Sequence, residues 1–231
     1  IKCYSIIDRD SRYNEIENIK KIIKDIRCEK EFIYLKKNEN FLENLKKLIK
    51  DQNAPIATIT WYIHSLLTKK IHEDGRKVSL SGTAADEMFA GYYDHYLLHL
   101  YECYKSKKNF QKNYNNWRKY VSINIRNKFL KDPKIYIKNS NFRDHIFDEF
   151  NYMKKFSKKK IEYLFEEKNL NNSLMKNRMM NEIFYETTPV ILNQDDLNSM
   201  YYSVENRSPF LDKNLYEFCL SIPSNVYIEN G

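Results

Sequence analysis

With 231 residues, 42% of them apolar and 30% charged, the chain has a globular rather than a disordered composition. Only 4 glycines argue against a turn-rich β-sandwich or a Gly-rich repeat, and no run approaches the ~20 apolar residues of a membrane span. The formal charge is +8.

In chain order, Ile1–Ile7 reads as a short buried strand, too quickly followed by polar residues to be a signal peptide. Asn14–Cys28 carries Ile16, Ile19, Ile22, Ile23 and Ile26 at helical spacing. Glu31–Lys36 reads as a second strand, and Phe41, Leu42, Leu45, Leu48 and Ile49 mark a second helix ended before Pro55. Thr58–His72 predicts a third helix, and Lys77–Leu80 a third strand. This alternation predicts a parallel sheet with helices on its faces.

After Asp86 only helical periodicity is evident, with Met88, Phe89, Tyr92, Tyr96, Leu100 and Tyr104 expected on one helix face. The basicity is local: residues 105–160 hold 17 Lys/Arg against 4 Asp/Glu, interleaved with Tyr114, Trp117, Tyr120, Phe129 and Tyr136. This reads first as a solvated helical face, with a nucleic-acid footprint as the less favoured reading. Cys3, Cys28, Cys103 and Cys219 share no C-x2-C spacing, which excludes a zinc knuckle. They are expected to be reduced, buried thiols of a cytoplasmic protein.

Three of the four glycines, Gly75, Gly82 and Gly91, fall in one window. Within it, residues 78–91 read VSLSGTAADEMFAG: a strand end, a Ser-Gly-Thr turn and a helix start near Ala84. Strand C-termini of parallel sheets are where ligands bind. A helix start there favours phosphate, and Asp86 could hold magnesium against phosphate oxygens. The same residues also read as capping, with Ser81 or Thr83 as N-cap and Thr83-x-x-Asp86 as a near capping box. Both readings stand at this point.

SLSGTAADEMFAGYYDHY resembles the S-G-E-G-x-D-E-x-F-x-G-Y segment of the asparagine synthetase family. QDDLNSMYYSVENRSPFLDKNLYEFCLSIP is similar to that family's D-D-x-x-S-M-x-x-S-x-E-x-R-x-P-F-L-D signature, and CYSII with Tyr13-Asn14-Glu15 resembles its first strand and sequel. The resemblance covers about residues 1–105 and 175–229. It implies an ATP-pyrophosphatase α/β domain lacking its first strand, followed by a mostly helical extension. The expected segments are a partial nucleotide-binding domain over 1–105, a basic helical insertion over 106–174, and a helical segment over 175–231 that packs back on the first.

The family forms an acyl-adenylate from a carboxylate, releases pyrophosphate and lets ammonia attack. By position, the resemblance implies ATP contacts at Ser5, Ile6, Ser81 and Gly82, with the Ile6 backbone at the adenine, and magnesium at Asp86. It places Thr83 where the family has a catalytic Glu, and Glu205 and Arg207 beside the substrate pocket or positioning Asp86; the latter two read first, however, as a buried ion pair bracing the loop before Pro209. Thr83 cannot act as a carboxylate base, which points away from aspartate and toward another carboxylate such as a sugar acid. The S-G-G-x-D-S pyrophosphate loop, the family's later lysine and the glutaminase domain that supplies ammonia are not in these residues. The chain is therefore expected to be inactive alone and part of a longer cytoplasmic synthetase, with homodimerisation left open. The alternatives are an adenylating cyclase of the β-lactam synthetase or lasso-cyclase type, and a non-catalytic basic binding module.

Asp195 and Asp196 are expected to cap a helix starting near Leu197, and Asp212 to cap the helix 213–221. His95 and His99, spaced i, i+4, could bind zinc, but their aromatic surroundings favour packing.

Overall fold

The computed structural model describes residues 1–7, 10, 15–35, 40–56, 58–147, 152, 154–158 and 166–231. Tyr13, Asn14 and Lys36, named above, and parts of the basic stretch lie outside the described residues. Contacts group the chain into two compact units, Ile1–Ser81 with Val190–Pro209 and Gly82–Pro189 with Phe210–Gly231.

In the first unit, β1 (Lys2–Ile7) and β2 (Glu29–Tyr34) pair in parallel, from Lys2 opposite Glu29 to Ile7 opposite Tyr34. Helix α1 (Ile16–Ile26) connects them and ends at Arg27 in the left-handed region. Its apolar stripe is only partly used: Ile23 is buried, while Ile22 and Ile26 are exposed. Helix α2 (Phe41–Gln52) buries Leu48, and α3 (Ile59–Glu73) buries Trp61, Tyr62, Ser65 and Ile71. Gly75 turns the chain at φ +73° into β3 (Val78–Leu80).

Among the described residues the expected single parallel sheet is instead two parallel pairs, because β3 bonds to β4 (Glu205–Arg207), a strand the sequence pattern did not announce. ENR is short and wholly polar, so it carries no strand periodicity. Its register, Val78 opposite Glu205 and Leu80 opposite Arg207, fixes it through backbone bonds.

In the second unit, α4 (Ala85–Phe89) and α5 (Tyr93–Lys105) are separate helices. This corrects the expected single helix and part of its face: Met88 and Leu100 are buried as expected, but Phe89 and Tyr104 are exposed, and Leu97 and Leu98 join Leu100 in the interior. These leucines form the core with Trp117, Tyr136, Phe142 and Met175. The basic stretch is held in short pieces: α6 (Phe110–Asn116), a π turn at Trp117–Val121, 3-10 turns, and α7 (Ile135–Lys138). Then follow α8 (Leu174–Phe184), α9 (Thr187–Tyr201), which from Val190 onward belongs to the first unit, α10 (Lys213–Ser221) and α11 (Ser224–Tyr227).

Asp212 caps α10 as expected, accepting from the Asn214 and Leu215 amides at 2.9 and 3.0 Å. Asp195 and Asp196 do not cap: the helix begins at Thr187 and both lie within it, Asp195 beside His64 at 3.6 Å. Among the described residues no helix is long and apolar enough to cross a membrane.

Candidate active site

In the first unit, Ser5 and Ile6 lie half-buried near the C-terminal end of β1, opposite Phe32 and Ile33. At the end of β3 the Ser81 N–H donates to the Arg207 carbonyl at 2.9 Å. The Asn206 amide donates to Ser81 Oγ at 3.3 Å, and Ser208 Oγ lies 3.2 Å from the same atom. Sheet pairing therefore runs one residue past β3 and commits the Ser81 amide.

Glu205 and Arg207 pair at 2.8 Å on one face of β4, but both side chains are 59% exposed, not buried as the bracing reading expected. Leu80, the partner of Arg207, is also exposed, so that face of the strand pair is open to solvent.

The second unit opens with Gly82, which is exposed and where an added Cβ would meet nothing within 4 Å. The following turn is unusual. Ala84 precedes α4 at φ +74° and Ala90 follows it at φ +58°. Each is left-handed and 2% exposed, a conformation that costs a non-glycine residue ~1–2 kcal/mol. Strain of this kind persists where the surroundings over-determine it, often at functional sites.

The capping readings are corrected here: Ala84, not Ser81 or Thr83, holds the cap position of α4. A five-residue helix also has little macrodipole to offer an anion. What the turn does is fix Asp86. The Gly91 N–H closes on the Asp86 carbonyl at 2.9 Å. The Asp86 carboxylate, on an exposed residue, lies over Gly91, where an added Cβ would sit 2.0 Å from Oδ1. Gly91 is thus required by close approach, not by an unusual φ.

Beside it, Glu87 is buried and accepts a hydrogen bond from Tyr92 Oη at 2.8 Å. Burial pushes the Glu87 carboxyl up despite that bond. Burial and the Glu87 charge push the Tyr92 phenol far above its usual range.

The family model described as asparagine synthase matches residues 1–231, the whole chain. The chain belongs to the asparagine synthase family. Membership places it among ATP-dependent carbon–nitrogen ligases that form amides. No curated protein and no solved structure matches it significantly.

Among the described residues of this family member, one further cluster has metal-ligand chemistry. Asp94, His95 and Glu182 are all buried, with ligand atoms within 4.8 Å of one another. A guanidinium already serves the cluster. Arg178 Nε lies 3.2 Å from Asp94 and Nη2 3.1 Å from Glu182, while Nη1 reaches Glu167 at 3.1 Å and Glu186 at 2.6 Å. A second cation beside that charge would be repelled, so the group is a buried ion network.

His95 Nε2 bonds Glu182 at 2.8 Å; burial pulls its pKa down, but Glu182 and Asp94 outweigh burial and raise it. Burial also opposes ionisation of Asp94, but His95, His145 and Arg178 overcome it and hold that carboxyl well below its usual range. His99 bonds Asn113 at 3.3 Å, with burial lowering its pKa. Both histidines are thus used inside the protein, as expected. Sequence reading missed the partners Asp94, Arg178 and Glu182. The one signal that could have found them is the i, i+4 spacing of Arg178 and Glu182.

Proposed function

We propose that the chain is the nucleotide-handling part of an asparagine-synthetase-like amidotransferase, which adenylates a small carboxylate and passes it to ammonia. The observation that carries the reading is the Asp86 turn: a carboxylate fixed over Gly91 between two buried left-handed alanines, within the segment that resembles the family's S-G-E-G-x-D-E motif and departs from it at Thr83 and Ala84. The turn packs both alanines into the core while it leaves the acid between them exposed, and costly backbone of this kind clusters at functional sites.

In this reading Ser5 and Ile6 contact the adenosine part of ATP, with the Ile6 backbone at the base. Gly82 allows close backbone approach, and Ser81 contributes its hydroxyl, its amide being committed to Arg207. Asp86 is the residue that would hold magnesium. A carboxylate oxygen is the ligand type this hard cation takes, and one or two protein carboxylates plus phosphate oxygens are its usual set. Bound there, magnesium would supply charge neutralisation on the pyrophosphate leaving group. Glu205 and Arg207 border the acceptor. Thr83 stands at the position of the family's glutamate and provides no base, which favours a carboxylate other than aspartate.

We also propose that the intact protein adds a strand and phosphate loop ahead of β1, together with the glutaminase domain that supplies ammonia, and that it acts in the cytoplasm. Supporting this, two-stranded parallel pairs are marginal alone, since parallel sheets are normally wider and covered on both faces. Exposed Ile22, Ile26 and Leu80 are surfaces more chain would cover.

The test is ATP–pyrophosphate exchange by the intact protein against a panel of carboxylates. Exchange that depends on one carboxylate supports the reading. ATP turnover independent of every carboxylate, or none at all, contradicts it.

A further inference from the structure

Cys3 and Cys28 are 25 residues apart in sequence, yet their sulfurs lie 2.8 Å apart. The strand register explains the meeting. Lys2 stands opposite Glu29 and Cys3 opposite Lys30, so Cys28, one residue before β2, comes beside Cys3 at the start of the parallel pair. Both thiols are free and partly exposed, whereas Cys219 is buried. Burial is as expected for Cys219 but not for Cys3, Cys28 or Cys103.

From this juxtaposition we infer that Cys3 and Cys28 form a thiol–disulfide site, oxidised by a small disulfide of the glutathione type. The inference is independent of the ligase reading. One thiolate attacks the small disulfide, whose S–S bond breaks to release one thiol and leave a mixed disulfide on the protein. The second thiolate then displaces the other small thiol and closes the Cys3–Cys28 bond. The two protein sulfurs are oxidised, the small disulfide is reduced to two thiols, and the two protein protons end on those thiols.

Two features favour closure over the mixed form. The partner sulfur is already in place, so the second displacement is effectively intramolecular. The bond also ties β1 to the start of β2 across the α1 crossover, which restricts the unfolded chain. The hydrogen bond to Cys28, with burial, pushes the Cys3 thiol up. Exchange is therefore expected to quicken as pH rises through the alkaline range, where more thiolate forms.

The test equilibrates the intact protein in glutathione buffers of stepped redox ratio, traps the thiols and maps them by mass spectrometry of a non-reduced digest. The expected result is a peptide pair joined through Cys3 and Cys28. It should form at an oxidised-to-reduced ratio at least ~10-fold lower in native protein than in urea, because folding supplies the proximity. Half-oxidation should coincide with a rise in melting temperature of several degrees. Cys28→Ser should leave glutathione on Cys3 and no link. The inference is overturned if native protein carries separate glutathione adducts on the two cysteines, if neither reacts, or if the joined pair appears only in urea. The mapping uses unmodified protein, so a variant that fails to fold does not blunt it.

Discussion

At the residue scale, the account turns on Gly91 and Thr83. A methyl at Gly91 would lie 2.0 Å from Asp86 Oδ1, so the carboxylate must move. Gly91→Ala is expected to lower carboxylate-dependent pyrophosphate exchange by at least ~10-fold while costing only ~1–3 kcal/mol of stability, as a local overpack usually does. Exchange assays and urea titration of the same preparation separate the two effects. Retained exchange would mean that the position of Asp86 over Gly91 is not what catalysis needs. At Thr83 the expectation is a gain. Thr83→Glu restores the carboxylate that the family motif carries, and exchange with aspartate should rise above the parent level. An unchanged aspartate rate would remove the explanation of the acceptor offered above.

At the element scale, α10 depends on a single cap. Asp212 accepts from two backbone amides of the first turn, so Asp212→Ala should cost ~1 kcal/mol, read as a lower urea midpoint at unchanged m-value. That cap was legible in the sequence because a short polar acid directly precedes a periodic apolar segment. Helix α3 and strand β3 were legible for similar reasons: Gly75 and the apolar spacing mark their limits to within a residue. What was not legible has a common cause. The break between α4 and α5 rests on left-handed Ala90. Alanine is the best helix former, so propensity argues for continuation and the backbone does otherwise. Strand β4 is polar and exists through pairing with β3. Asp195 and Asp196 read as caps because Asp favours helix starts. Helix α9 had already begun at Thr187, so they fall in its body.

At the scale of the whole molecule, the second unit is organised around a buried cation. Arg178 meets Asp94, Glu167, Glu182 and Glu186, so Arg178→Met leaves several carboxylates without their counter-charge. A loss of ~3–5 kcal/mol is expected, as for other broken buried pairs.

The same network sets a pH window. Asp94 is held below its unfolded value, so its contribution is present above that value and is lost as pH falls through the folded one. His95 is raised above its unfolded value of ~6.5, so its contribution is complete below that value and is lost as pH rises through the folded one. Buried Glu87 and Glu186 are raised and likewise favour the folded state at lower pH. Stability measured by urea midpoint should therefore be greatest in mildly acidic solution and fall on both sides. A midpoint that climbs steadily from about pH 6 to about pH 9 would contradict this assignment. The network was only faintly visible in sequence, because its members come from separate helices and loops and meet only on folding.

The measurement that bears most directly on the ligase reading is carboxylate-dependent ATP–pyrophosphate exchange by the intact protein and its Asp86→Asn variant, with melting temperature recorded for both. The account predicts that the variant melts within a degree or two of the parent while exchange falls by roughly two orders of magnitude or more, as befits the loss of charge stabilisation at a leaving group. Equal exchange rates in the two proteins, at equal stability, would contradict it.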